Sequence, residues 1–583
     1  MANVAAAKDI PAAIPAARPR FNASATVLIG MTAVVAFLAI YPVGWLVYGS
    51  FSSAPPLQDG VLTIGNYIKA INNPLIRGTF WNTVIFSFGQ MVVAVAIGAG
   101  LGWIIARTNT PGRQTFELLS LIVFLIPGLL AVLAWTMLLS PSKGVINQLL
   151  MWMFDLEKAP FNIYTMGGMI FLHGVYLAPF TYLMITPAFV SIDSGLEESA
   201  RMSGSGVLKT FWRITLPLTR PAILSTSLFM FIIGLESFDI PQMLGAPYGI
   251  YVFVTQIYTT CCVQYPPDYG QATALSSVLL VAAAVLIYFY RRSVRQTSRF
   301  ETIKGKGYRA GAADIGGWKW VTFAICVFYF FMTVFLPFAI VLIGSFLRFF
   351  GRFDMEIFQR MTLENYSRVM AHPALVNGFL NSFGLAVVAG AICVLMAAVV
   401  GFITIRSKMP GRGLLDAVSM LPVAYPATVL GIGLVWAWVV IPLPVYGTIL
   451  ILAVAYITRY VPIGLRTVSG GIVQISDELE SASKMSGAPW LYGFRRIILP
   501  LMRPTLAAAW LIMFLLFMRE LSMSIILAGT GNPVASVVIF DYYSSGELPP
   551  MAAASVIMAA AMIAVVWFSR TFLKISYTDL RVG

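Results

Sequence analysis

Leu196-Glu197-Glu198-Ser199-Ala200-Arg201-Met202-Ser203-Gly204, then nine residues, then Ile214-Thr215-Leu216-Pro217: the chain carries this pattern twice, and the architecture follows from that. The second copy is Leu479-Glu480-Ser481-Ala482-Ser483-Lys484-Met485-Ser486-Gly487, nine residues, then Ile497-Ile498-Leu499-Pro500. Moving outward from the two copies, more of the chain matches. Asn66-Tyr67 matches Asn365-Tyr366, Asn82 matches Asn381, Pro111-Gly112-Arg113 matches Pro410-Gly411-Arg412, and Pro127 matches Pro426, all at an offset of 299. From Pro179 and Pro462 onward the offset is 283, so the second half lacks 16 residues near 141–163. The chain is an internal duplication.

Composition says what is duplicated. Of 583 residues 59% are hydrophobic and 11% charged, with a mean hydropathy of +0.83. A soluble chain carries about 25% charged residues, and disorder requires low hydrophobicity. Apolar runs of 20 or more residues exclude the two-residue alternation of an outer-membrane barrel. The chain reads as an all-α polytopic membrane protein. Twelve spans are expected, each near the ~20 residues that cross ~30 Å of hydrocarbon. They lie at roughly 26–48, 80–106, 117–139, 164–190, 221–244 and 271–290, then 320–346, 378–404, 413–438, 446–468, 504–528 and 549–569. Each repeat holds six spans, an even number, so the halves run parallel about an axis along the membrane normal.

The net charge of +14 is explained by topology. With both termini in the cytoplasm, cytoplasmic segments hold 28 of the 38 Lys and Arg residues, the opposite face holds eight, and Arg459 and Arg519 fall inside spans. That is a positive-inside bias, and it leaves nucleic-acid binding nothing to explain. The expected organisation is a cytoplasmic tail (1–25), a first unit (26–290) with a loop at 191–220, and a basic, glycine-rich cytoplasmic tether (291–319). A second unit (320–569) with a loop at 469–503 and a cytoplasmic tail (570–583) complete it. The first span is too long for a signal-peptide core and is expected to be retained. His173 lies in an apolar run and reads as a packed core residue. Cys261, Cys262, Cys326 and Cys393 have no zinc spacing. Cys261 and Cys262 are neighbours, which rarely bridge.

The repeated loops fall after the fourth span of each half. Glu197 and Glu480 suit the first turn of a short helix, where carboxylates complement the dipole. Ser199, Ala200, Ala482 and Ser483 are small enough for another surface to approach. Gly204 and Gly487 permit a sharp turn, and Pro217 and Pro500 restart a helix. A single such loop could be an interfacial amphipathic helix; two in register suggest twin docking elements for a symmetric partner.

The loops resemble the Glu-Ala-Ala…Gly…Ile-x-Leu-Pro loop of bacterial ABC importer permeases fed by a periplasmic binding protein. The resemblance covers both halves and implies a type I importer fold. It further implies that each loop forms a coupling helix seated in a cleft of an ATPase subunit. The implied docking residues are Glu197, Glu198, Ser199, Ala200 and Gly204, and Glu480, Ser481, Ala482 and Gly487. Half two departs from the motif: Ser481 stands at the motif glutamate and the acid, Glu480, is one residue earlier. The chain has no Gly-x4-Gly-Lys-[Ser/Thr] phosphate loop. It is therefore expected to bind no cofactor and to hydrolyse no ATP. ATP and Mg would be used by two copies of a separate ATPase. The other implied partners are a periplasmic binding protein and membrane lipid, at the bacterial inner membrane.

Fused six-span permeases look most like the ferric-iron permeases, supported by Gly234-Leu235-Glu236-Ser237-Phe238-Asp239-Ile240-Pro241 and Arg519-Glu520-Leu521-Ser522-Met523-Ser524. Polyamine, thiamine, 2-aminoethylphosphonate and sulfate-like anion permeases have similar hydropathy and stand as alternatives. Oxidase-coupled iron permeases carry Arg-Glu-x-x-Glu, and here Met523 breaks that pattern. Ionisable residues inside spans cost about 2.5–3.5 kcal/mol each on insertion scales and face a cavity or a partner. Glu236, Asp239, Arg519 and Glu520 are thus the candidate translocation path. Glu236 and Asp239, three apart, are expected on one helical face, as an acidic pair suited to a hard cation; the opposing expectation is an ion pair of one of them with Arg519. No metal site is firmly assigned.

Overall fold

The computed structural model describes residues 23–123, 126–297, 313–351, 355–407, 409–487 and 489–573. Most of the two tails and of the tether therefore lies outside the described residues.

Among the described residues, nine continuous helices are long and apolar enough to cross a membrane: Ala25–Phe51, Pro74–Arg107, Met166–Val190, Val207–Glu236, Tyr269–Val294, Trp318–Ser345, Pro373–Arg406, Ile449–Gln474 and Leu548–Thr571. These are the first, second, fourth to eighth, tenth and twelfth spans. The ninth is a bent pair, Arg412–Ala424 and Ala427–Val440, at 109°, and the eleventh is Trp490–Leu501 and Arg503–Met518, at 75°. The third consists of the short helices Arg113–Val123 and Gly128–Leu139. The breaks in the third and ninth spans are repeat equivalents, since Pro127 and Pro426 are the extended residues that precede the second helix of each pair. Proline lacks the N–H that would continue the helix. A broken helix at membrane depth is tolerated where its freed carbonyls are buried in protein or line a cavity.

The repeated Asn and Tyr residues are structural. Asn66 Nδ2 donates to the carbonyls of Ser50 and Ser52 at 3.1 and 2.8 Å, and Asn365 Nδ2 to those of Ser345 and Leu347 at 2.9 and 2.7 Å. Asn82 and Asn381 each donate to the carbonyl of a loop after the fifth or eleventh span, Tyr251 and Pro533, at 3.0 and 2.8 Å.

The first span of each unit packs on the broken span of the other. A Cβ at Gly49 would strike Trp436 of the ninth span, and one at Gly344 of the seventh span would strike Met137 of the third. Within the first unit the second and fourth spans meet closely, so that a Cβ on Gly98 would lie 2.5 Å from Thr181 Cβ and 2.7 Å from the Ala178 carbonyl. Without a hydrophobic driving force between helices in lipid, such small-residue contacts bring backbones together. His173 is buried and stacks on Phe86, with ring centroids 5.4 Å apart. One expectation fails: Cys261 and Cys262 are joined by a disulfide.

Candidate functional site

The first loop helix, Ser194–Met202, is capped by Asp193, whose side chain accepts from the Gly195 N–H at 3.0 Å. Glu197 occupies its first turn, as the dipole argument requires. Its carboxylate is turned into the protein, away from any docking surface. Arg107 Nη2 lies 2.6 Å from Glu197 Oε2, and the Thr215 hydroxyl donates to Oε1 at 2.6 Å. Arg107 also donates to the Ile192 carbonyl at 3.0 Å. Glu197 and Arg107 are both buried, whereas Glu198, Ser199 and Gly204 are exposed and Ala200 is half-buried.

The second loop helix, Asp477–Met485, repeats part of this. Arg406 is the equivalent of Arg107 and donates to the Ile475 carbonyl, the equivalent of Ile192. Its acidic partner is Asp477 at the start of the helix. Glu480 is half-buried, and Ile498 stands where the first unit has Thr215, so the hydroxyl that holds Glu197 has no counterpart. Ser481, Ala482 and Gly487 are exposed.

Outside these anchors the loops match closely. Ser203 and Ser486 each donate to the carbonyl four residues back, Ser199 and Ala482, at 2.9 Å. Gly204 and Gly487 take φ of +79° and +74°, the left-handed region that favours glycine. Met202 and Met485 are 90% and 89% exposed at equivalent tips. Under each loop an aromatic pair supports the returning helix: Trp103 on Phe211 at 4.8 Å and Phe402 on Phe494 at 4.9 Å between centroids.

The intramembrane charges meet where the two units face each other. Glu236 ends the fifth span, and Ser237 follows in an extended conformation. A new helical turn begins at Asp239 with Pro241 in its first turn, where the missing N–H costs nothing. Glu236 and Asp239 therefore do not share a helical face, contrary to the three-residue spacing argument. Nor does Glu236 pair with Arg519: its Oε2 lies 2.5 Å from Nη2 of Arg459, in the tenth span. Arg459 also donates to the carbonyls of Pro422, at 3.1 Å, and Tyr425, both at the break of the ninth span. Arg519 lies within electrostatic reach of Tyr176 of the fourth span, and the Tyr176 hydroxyl donates to the Ile126 carbonyl at 2.8 Å, at the break of the third. Asp239 lies within electrostatic reach of Arg519 and Glu520. Glu520 is buried, accepting from the Tyr460 hydroxyl and, at 3.1 Å, from the Met523 N–H. Among the described residues no group of three or more His, Cys, Asp or Glu is placed to hold a metal ion. Sequence reasoning left Arg459 and Tyr176 out of this cluster. The signal for Arg459 was available, since it is one of two basic residues inside spans.

A contact of the tether was also missed. Ala313 N–H donates to the Arg107 carbonyl at 2.8 Å, and Asn109 Nδ2 donates to Asp314 Oδ1 at 2.6 Å. Arg201, on the first loop helix, donates to the Asp314 carbonyl at 3.0 Å. The Gly316 N–H and the Asn109 amide together hold the Asp314 carboxyl below the usual carboxylate range.

The sequence profile of the family described as "Binding-protein-dependent transport system inner membrane component" matches residues 98–299 and 395–575. The chain is 26% identical over 557 residues to a ferric transport system permease protein of Actinobacillus pleuropneumoniae, across 93% of this chain and 77% of that relative. It is 26% identical over 511 residues to a putative ferric transport system permease protein of Haemophilus influenzae, across 85% and 76%. A solved bacterial alginate ABC transporter, in complex with an alginate pentasaccharide-bound periplasmic protein, aligns over 47% of this chain and 95% of that one, at 22% identity and a TM-score of 0.39.

Proposed function

Because the chain belongs to the family of binding-protein-dependent transport system inner membrane components, with the family domain present twice, we propose that it is the complete transmembrane path of an ABC importer for ferric iron. It is a multi-pass inner-membrane protein whose two units form one permease. On this reading a periplasmic binding protein delivers the cargo, and two copies of a separate ATPase hydrolyse ATP with Mg. The ATPase dimer grips the two loop helices from the cytoplasm, the side on which both termini lie. Its closure rocks the units between inward- and outward-open states. The chain itself binds no cofactor and performs no covalent chemistry.

The observation that carries the coupling reading is the paired loop helices, matched in exposure at Leu196 and Leu479 and at Met202 and Met485. Glu198, Ser199, Ala200 and Gly204 of the first loop and Ser481, Ala482 and Gly487 of the second present the docking surface. Glu197 supports that surface from beneath. Iron is favoured by the ferric relatives, which align along most of their own length, and by three carboxylates against two arginines in the central cluster.

Ligand analysis of the cognate binding protein, together with ATP-dependent uptake of ferric iron by the reconstituted complex, tests the reading. An organic amine, an aminophosphonate or sulfate as the ligand, with no iron uptake, would overturn the iron assignment.

A further inference from the structure

The Glu236–Arg459 and Arg519–Tyr176 contacts are one contact made twice. The repeat relates Glu236 to Arg519, Tyr176 to Arg459, and Ile126 to Tyr425 through its offsets of 283 and 299. In each case the residue at the end of the fifth or eleventh span reaches across to the fourth or tenth span of the other unit. There it meets a side chain that also donates to the carbonyl just before the proline break of its own unit. On one side the contact is an ion pair; on the other it is an arginine beside a phenol. Pairing the first unit with itself would set Glu236 against Tyr176 twice. Pairing the second with itself would set Arg519 against Arg459 twice, a buried like-charge contact.

A permanent seam between two units has no need of such groups. Apolar side chains of similar volume are often neutral or stabilising in place of a buried ion pair, and each ionisable residue in a span is costly to insert. The groups are suited to an interface that opens, because water can replace each partner and a cationic cargo can replace Arg459 at Glu236. We propose that Glu236–Arg459 and Arg519–Tyr176 are twin latches that hold the path between the units shut and part during transport. The proposal rests on the alternating-access reading above. Each latch fastens a moving span end to the broken helix of the opposite unit, so rotation of either unit breaks both. A cation entering between the units competes with Arg459 for Glu236 and thereby favours opening; Asp239 and Glu520 then face it.

The test uses the full-length chain in proteoliposomes without any ATPase, measuring passive flux of sodium and of ferric iron offered as its citrate complex. Wild type is expected to be tight. Glu236→Gln and Arg459→Gln are expected to leak on the order of tenfold more, a change equal to about 1.4 kcal/mol. Tyr176→Phe, which removes one hydroxyl, reads the second latch and serves if the charge variants insert poorly. Single variants that insert at wild-type yield and stay tight overturn the proposal. Passive flux needs neither binding protein nor ATPase, so a wrong cargo assignment leaves this result interpretable.

Discussion

Arg107 and Glu197 are bonded at 2.6 Å beneath the first loop helix, both buried. The arginine ends the second span and the glutamate opens the loop helix, so the pair ties the loop to the membrane-embedded body. Removing one partner of a buried pair leaves an uncompensated charge, at a cost of about 3–5 kcal/mol. Glu197→Ala is therefore expected to lower the melting temperature in detergent and expose the 191–220 loop to protease. Thr215→Val, which removes one hydrogen bond to the same carboxylate, is expected to cost only about 1 kcal/mol. Equal, small effects from both would show that the pair does not anchor the loop.

Gly204 and Gly487 have open space where a Cβ would stand. Their positive φ, rather than any clash, makes substitution costly, by roughly 1–2 kcal/mol per residue. The double variant Gly204→Val with Gly487→Val is expected to insert normally while ATP-driven uptake falls. Asn, which tolerates this region, is expected to retain more activity than Val at both positions. Unchanged uptake in the Val variant would remove the turns from the coupling mechanism.

Gly98 and Gly100 lie one turn or less apart on the same span yet differ in surroundings. A Cβ on Gly98 runs into Thr181 and the Ala178 carbonyl, whereas nothing lies within 4 Å of one on Gly100. Gly98→Leu is expected to lower the yield of folded protein sharply and Gly100→Leu to leave it near wild type. Size-exclusion profiles in detergent provide the comparison.

Asp314 fixes the end of the tether to the 107–110 loop through a carboxylate held below its usual range by the Gly316 N–H and the Asn109 amide. A depressed pKa means that the contribution is fully present above the unfolded value of about 3.9 and is lost as pH falls through the lower folded value. Hydrogen-exchange protection at 313–316 is expected to be unchanged from pH 8 to about pH 5 and to fall only in stronger acid. Asp314→Ala should abolish that protection at neutral pH. Loss of protection in the wild type already at about pH 6 would assign the contact to another group.

What is local or periodic could be read from the residues alone. Apolar runs long enough for the bilayer placed the spans, and matched prolines and glycines at fixed offsets revealed the duplication. The Glu197 position in a first turn followed from dipole chemistry. These features were legible because hydrophobic length, helix caps and glycine turns act over one span or a few residues. Which side chains become partners depends on how the helices pack. Glu236 and Arg459 are 223 residues apart, and nothing in either span's pattern says that they meet across the two units instead of Glu236 reaching Arg519. The break at Ser237, which separates Glu236 from Asp239, follows from a proline four residues later whose effect depends on where the chain turns. The inward rotation of Glu197 depends on an arginine 90 residues away. A span's sequence encodes that it must be buried in lipid or protein; which charges neutralise one another is set by how the two six-span units pack together.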